Sequence, residues 1–250
     1  MLYNKIMKRI LLVVEYDGTA YCGWQKQPNV KTIQGEIEDA IFRAIGEKVE
    51  IFGSGRTDAG VHGLHQTAHF DLSAPVPISK FAEILNNVLP ADIVVKRAEE
   101  VDKEFHARFS IKKKCYLYKI YNSPCKNAFL ANNVAWIKKT LDVDLMKKAS
   151  KLLIGKHDFR GFCSANTCAT DFVRTIFDIS ISQHDEYICV EVCGNGFLYN
   201  MVRIIVGTLV DYALGKLSLE DIKIALLGGT RAKAGQTMPA CGLYLKDTIY

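Results

Sequence analysis

The chain has 250 residues, of which 49% are hydrophobic and 24% charged, and a formal net charge of +5. These are the proportions of an ordinary globular protein, long enough for one large domain or two small ones. No apolar run approaches the length of a membrane span, and Ile10–Val14 is too short for a signal-peptide core, so a soluble, cytoplasmic protein is expected. The positive balance is compatible with nucleic acid. Eight cysteines (Cys22, Cys115, Cys125, Cys163, Cys168, Cys189, Cys193 and Cys241) include no Cys-x-x-Cys pair, and the six histidines show no metal-ligand spacing. Reduced thiols and no metal site are the expectation.

Ile10 to Tyr16 reads as a buried strand. Asp17 to Gln25 then forms a glycine-punctuated loop whose aromatics, Tyr21 and Trp24, look exposed. Ile33, Ile37, Ile41 and Ile45 recur every four residues, which predicts an amphipathic helix with Thr32 as its N-cap. A strand is expected from about Gln66 to Leu72, with Ala68, Phe70 and Leu72 inward and His69 and Asp71 outward. Ser79 is the expected cap of a second helix bearing Phe81, Ile84, Leu85, Val88 and Leu89, stopped by Pro90. Short strands follow at Ile93–Val95 and Cys115–Tyr121.

Between positions 101 and 120 six basic side chains (Lys103, Arg108, Lys112, Lys113, Lys114, Lys119) outnumber two acidic ones (Asp102, Glu104). With Phe105, Phe109, Tyr116 and Tyr118 interleaved, this suits RNA through phosphate attraction and stacking. A lysine-rich edge that guards a strand from aggregation is the competing reading. Beyond it lie a helix on Leu145, Met146, Ala149, Leu152 and Leu153, and paired strands at Thr175–Ile181 and Tyr187–Val192. A long helix over Phe197–Leu214 carries Arg203 between its apolar positions. Ser218 and Asp221 make a capping box for another helix, and Gly242–Leu245 opens a final strand. Strands mixed with helices in each half predict an α+β protein with lobes at 1–104 and 105–250, suggestive of an internal duplication.

The densest chemistry lies in Gly53-Ser54-Gly55-Arg56-Thr57-Asp58-Ala59-Gly60-Val61-His62-Gly63. Glycines make it a tightly turned loop. In an extended segment Arg56 and Asp58 would leave one face and Thr57 the other. A carboxylate beside a guanidinium stays ionised, which suits a nucleophile or electrostatic clamp. A plain surface turn with an ordinary ion pair competes with that reading, as does a phosphate nest. The phosphate motif's Gly-Lys-Ser/Thr ending is absent, and Asp58 would repel phosphate.

Gly55-Arg56-Thr57-Asp58-Ala59-Gly60-Val61-His62 resembles the signature loop of the tRNA pseudouridine synthase A family. Tyr16-Asp17-Gly18-Thr19 with Gly23-Trp24-Gln25 is similar to a second block of that family. So are Phe105-His106-Ala107-Arg108-Phe109-Ser110, Gly194-Asn195-Gly196-Phe197-Leu198 with Met201-Val202-Arg203, and Gly242-Leu243-Tyr244-Leu245. His65 stands where glycine is expected and Gly63 where alanine is common; both leave the Arg-x-Asp core intact. The resemblance implies isomerisation of uridine to pseudouridine in the anticodon stem-loop, about positions 38–40. It also implies a two-lobed fold with a central, mostly antiparallel sheet, a homodimer, tRNA as partner, and no cofactor.

On that resemblance Asp58 is the catalytic aspartate, Arg203 its ionic partner, and Tyr116 the ring that stacks on the target base, with Tyr118 as the alternative on the same strand face. Arg56 would fill the gap left by the flipped uridine. Leu243 would wall the detached base from water, or be a plain core leucine. Lys112, Lys113, Lys114 and Trp24 are candidate tRNA contacts. His62 either orients the loop or is a satisfied structural histidine. An RNA-binding protein without catalysis and a carboxylate-based hydrolase are the competing function classes; the second lacks an evident second acid.

Overall fold

The computed structural model describes residues 7–165, 167 and 169–250; Lys5 and Cys168 lie outside them. Contacts divide the chain into two units, Met1–Lys112 with Leu245–Tyr250, and Lys113–Tyr244. The division falls between Lys112 and Lys113 rather than at 104/105, and the last residues belong to the first unit.

In the first unit, β1 (Lys8–Tyr16) lies between β3 (His62–Leu72) and β4 (Ile93–Val101), antiparallel to both. The short β2 (Phe52–Gly53) pairs with β3. Ile10, Leu12, Val14 and Tyr16 alternate onto one face of β1 and pack with Ile33, Ile37 and Ile41 of α1 (Ile33–Ile45) and Phe81 and Leu85 of α2 (Phe81–Asn86). Each such side chain contributes roughly 1.5–3 kcal/mol by leaving water. Thr32 caps α1 as expected, its side chain accepting from Gly35 N–H, and Gly46 ends the helix in the left-handed region.

Two expectations here are corrected. Ser79 lies inside a 3-10 turn at Ile78–Lys80, so α2 starts without a side-chain cap and is short. His69 is not on a wet face: Phe52 stacks on it at 5.3 Å and His106 meets it at 4.6 Å. Burial pushes its pKa down to about 4, since the charged form is desolvated. Tyr250 closes the same region, donating to Ala107 C=O and sharing a short hydrogen bond with Thr67.

In the second unit, β5 (Lys113–Asn122), β9 (Tyr187–Gly194), β8 (Val173–His184) and β7 (Gly155–Asp158) run in that order, each antiparallel to the next. The short β6 (Ala135–Ile137) pairs parallel to β5. Helix α3 (Val143–Ser150) packs on α4 (Met201–Ala213), which also reaches β5. The expected capping box of Ser218 and Asp221 opens α5 (Leu219–Gly228). The last strand, β10 (Leu243–Ile249), begins one residue after the expected Gly242, which ends a 3-10 turn at Ala240–Gly242.

The thiol expectation is corrected at one pair. Cys115 and Cys193 are direct partners in the β5–β9 register, with Cα atoms 4.2 Å apart, and they form a disulfide. That spacing matches the closer, non-hydrogen-bonded type of antiparallel pair, which brings opposed side chains into contact. Cys22, Cys125, Cys163 and Cys189 remain thiols.

Candidate active site

The Asp58 loop is fixed from below by the Tyr16–Gln25 segment. Trp24 N–H donates to Thr57 C=O at 3.0 Å, and the Tyr16 and Thr57 hydroxyls share a buried 2.8 Å hydrogen bond. Gly18 N–H donates to His62 Nδ1 at 3.1 Å. A side chain at Gly18 would have its Cβ on the Val61 carbonyl, so only glycine permits this approach. From the other side, Gln66 bonds Ser54 Oγ and donates to Gly55 C=O at 2.8 Å.

Val61 N–H donates to Asp58 C=O at 3.1 Å, closing a turn whose third residue, Gly60, has φ +75°. This is the type II requirement for glycine. Thr57 therefore points into the protein, while Arg56 is exposed and Asp58 half-buried. Burial alternates along Arg56, Thr57 and Asp58. His62 is fully buried between Gly18 and Asp17, at 3.1 Å from Asp17 Oδ1, and its place is structural.

The exposure expected of Tyr21 and Trp24 is corrected: they are 3% and 2% exposed. The Trp24 ring lies 5.9 Å from that of Tyr16, beneath the loop, and has no face to offer to RNA. Lys112 is exposed and Lys113 and Lys114 are half-buried.

In the second unit Arg203 stands in the first turn of α4. Its Nε donates to Met238 C=O at 2.6 Å and Nη1 to Asn200 Oδ1 at 2.7 Å. Asn200, just before the helix, adopts φ +60°, a left-handed conformation that asparagine tolerates better than most residues. The segment presenting Met238 is tied down in turn. Arg231 donates to the carbonyls of Ala234 and Gly235, and Gln236 N–H donates to Asp211 at 3.0 Å. The guanidinium is thus aimed by two oxygens that hold its plane.

Tyr116 is 8% exposed and meets the Phe197 ring edge-on at 5.2 Å. Tyr118, two residues on, is fully buried; its hydroxyl donates to Pro239 C=O at 2.7 Å, and burial raises its pKa. That hydroxyl bond and its full burial make Tyr118 a core residue. Leu243 is buried at the start of β10. Sequence reasoning missed Gln66, Asn200 and the Met238 carbonyl. Only Asn200 had a usable signal, a polar residue with left-handed propensity immediately before an apolar helix.

Among the described residues one group has the donor types of a metal site, Cys115, Glu191 and Cys193. Its two sulfurs are bonded to each other.

The family model described as tRNA pseudouridine synthase matches residues 12–110 and 149–250. The chain is 48% identical to the tRNA pseudouridine synthase A of Caldicellulosiruptor bescii, over 98% of this chain and 100% of that protein. It is 47% identical to the Brevibacillus brevis protein of the same name, with the same coverage, and 46% identical to that of Acetivibrio thermocellus, again with that coverage. The chain therefore belongs to the tRNA pseudouridine synthase family. It is an isomerase of that class, and its α+β architecture, with antiparallel sheet flanked by helices in each unit, is the one its sequence predicts.

Proposed function

We propose that the protein converts uridine to pseudouridine in the anticodon stem-loop of tRNAs, about positions 38–40, with Asp58 as the catalytic aspartate. The reaction breaks the N-glycosidic bond, turns the uracil, and rejoins it through C5, so it calls for no redox step. The observation that carries this reading is the Asp58 loop. Its signature residues lie within the family match, and Tyr16, Gly18 and Gln66 hold it by hydrogen bonds to Thr57, His62 and Gly55 while Asp58 stays half-buried rather than entombed. Such preorganisation is what a group reacting at one defined atom requires.

Asp58 takes the anionic role, at uracil C6 or at the sugar. Arg203 supplies the cation that keeps a carboxylate ionised and directed, supported by its two-oxygen anchorage. Tyr116 stacks on the target base and assists loss of the C5 proton. The uridine leaves its stack at a cost of roughly a few kcal/mol, and the exposed Arg56 fills the gap. Lys112, Lys113 and Lys114 contact phosphates, and Leu243 shields the detached base. The buried Trp24 supports the loop instead of touching RNA. The enzyme works in the cytoplasm as a homodimer, which sedimentation of the purified chain would test.

The deciding experiment uses tRNA transcript tritiated at uridine C5, in the presence of chelator. Release of tritium by wild type and none by Asp58→Asn is expected. Equal release by both would remove Asp58 from the reaction. No release from several tRNAs that still bind would leave an RNA-binding protein.

A further inference from the structure

The Cys115–Cys193 disulfide is the built feature that the proposed reaction does not use. It joins opposed residues of β5 and β9. Side chains alternate along a strand, so the Cys115 sulfur and the Tyr116 ring leave β5 on opposite faces. On the other strand, Cys193 is followed by Gly194, where β9 ends, and the chain turns through Asn195 and Gly196 to Phe197. Phe197 returns to lie edge-on against Tyr116. The cross-link thus fastens together the two strand ends from which Tyr116 and the Phe197 loop depart.

The two sulfurs stand in unequal surroundings. Glu191 Oε1 lies 3.7 Å from Cys193 Sγ, a distance at which a reduced Cys193 would donate its proton to the carboxylate. The carboxylate lies within 4.8 Å of the Cys115 sulfur as well, but its hydrogen-bond contact is with Cys193. Both cysteines are buried, at 5% and 4% residue exposure, which favours a small reagent over a protein partner.

We propose that Cys115 and Cys193 form a reversible two-electron redox site, oxidised by small hydroperoxides and reduced by dithiols, whose oxidised form clamps the Phe197 loop against Tyr116. In oxidation the Cys115 thiolate attacks the peroxide oxygen, the O–O bond breaks, and alcohol or water leaves. The resulting sulfenic acid is attacked by Cys193, forming the S–S bond and releasing water. Two thiols and one hydroperoxide yield one disulfide, one alcohol (water for hydrogen peroxide) and one water. Reduction is exchange with a dithiol, which leaves as its own disulfide. The effect on turnover rests on the proposed function; the sulfur chemistry does not.

The test uses the full chain, as wild type and as the Cys115→Ser, Cys193→Ser double variant. Each is exposed to one equivalent of hydrogen peroxide or to excess dithiothreitol. Alkylation with mass mapping should show Cys115 and Cys193 protected together after peroxide and available again after dithiol. Amide exchange across Asn195–Tyr199 should slow at least threefold on oxidation in wild type and be indifferent to treatment in the double variant. Tritium release from tRNA should be about threefold faster for oxidised than for reduced wild type, again without a difference in the double variant. Full alkylation of both cysteines after peroxide, or a disulfide that survives dithiol, overturns the redox site. Exchange that is equal in the two states overturns the clamp. Absence of tritium release in every form, with alkylation and exchange as expected, supports the redox site and counts against the synthase reading instead. Should the serines disturb folding, the single Cys193→Ala variant serves instead: its Cys115 can reach only the sulfenic acid, so no disulfide forms, and amide exchange and tritium release should not differ between the two treatments.

Discussion

The Asp58 loop and the start of α4 each present a charged residue from a firmly anchored backbone, and they anchor it with different materials. At the loop the anchors include close main-chain approaches, Trp24 N–H on Thr57 C=O, Gly18 N–H on His62 and the Gly60 turn, beside the side-chain bonds of Tyr16 and Gln66. At α4 the helix fixes the Cα of Arg203, and two oxygens, from Met238 and Asn200, fix the head group. A loop with no regular hydrogen-bond ladder gains its rigidity from close packing of main chain, which leaves no room for added atoms. A helix already has its ladder, so the Arg203 head group needs only two oxygens to orient it, the Met238 main-chain carbonyl and the Asn200 side chain.

The largest effect should come from the loop's own charge. Asp58→Asn is expected to lower tritium release by at least about a thousand-fold while thermal unfolding stays within a degree or two of wild type. Arg203→Lys retains charge but loses the planar fork, and should cost less, about ten- to a hundredfold. If the order were reversed, the loop would be the accessory and the helix the centre.

Backbone packing can be probed in both regions with one type of change. A Cβ at Gly18 would strike the Val61 carbonyl, and one at Gly207 in α4 the Gln236 carbonyl. Each alanine variant should lose about 3 kcal/mol or more in urea unfolding, because backbone rather than a movable side chain is in the way. Gly207→Ala losing under 1 kcal/mol would mean that the segment beside α4 yields where the loop does not.

The stability of the first unit should depend on pH through His69. Its folded pKa, near 4, lies below the ordinary 6.5, so the unfolded chain binds the proton more readily. Stability is therefore complete above about pH 6.5 and declines as pH falls towards 4, with a slope of at most about 1.4 kcal/mol per pH unit for this group. His106, depressed for the same reason of burial, adds to that decline. Denaturation midpoints for wild type and His69→Leu across pH 4–7 would check this; the variant should have the flatter profile.

The smallest effects separate a structural hydroxyl under the loop from one in the sheet. Thr57→Val removes the partner of the Tyr16 hydroxyl, and Tyr118→Phe leaves the Pro239 carbonyl unmet. Both should cost roughly 1–2 kcal/mol. Thr57→Val should also slow tritium release several-fold, whereas Tyr118→Phe should leave it within about threefold of wild type.

Elements with a strong period were legible in the sequence. The every-fourth isoleucine of α1, its Thr32 cap and the Ser218–Asp221 box emerge where expected because local preference and tertiary packing agree there. His69 and Trp24 misled because polarity and loop context stand in for exposure only where nothing packs above. Phe52 and His106 cover the first, and the Asp58 loop covers the second. The disulfide was unreadable for a different reason: Cys115 and Cys193 are 78 residues apart, and only strand register makes them neighbours. Asp58 itself could be found because its charge sits among glycines. The carbonyl that anchors Arg203 could not, since every residue has one.

The return of Leu245–Tyr250 to the first unit has a temporal consequence. A ribosome delivers Lys113–Tyr244 before those residues exist outside the tunnel. Until then Thr67, on the strand that follows the Asp58 loop, lacks Thr248 and Tyr250, and Ala107 lacks the Tyr250 hydroxyl. The second unit has all its residues in one uninterrupted stretch and can mature first, while the unit bearing Asp58 waits with an open edge. Closure of the unit bearing Asp58 thus awaits Leu245–Tyr250, which follow the whole of the second unit in the chain.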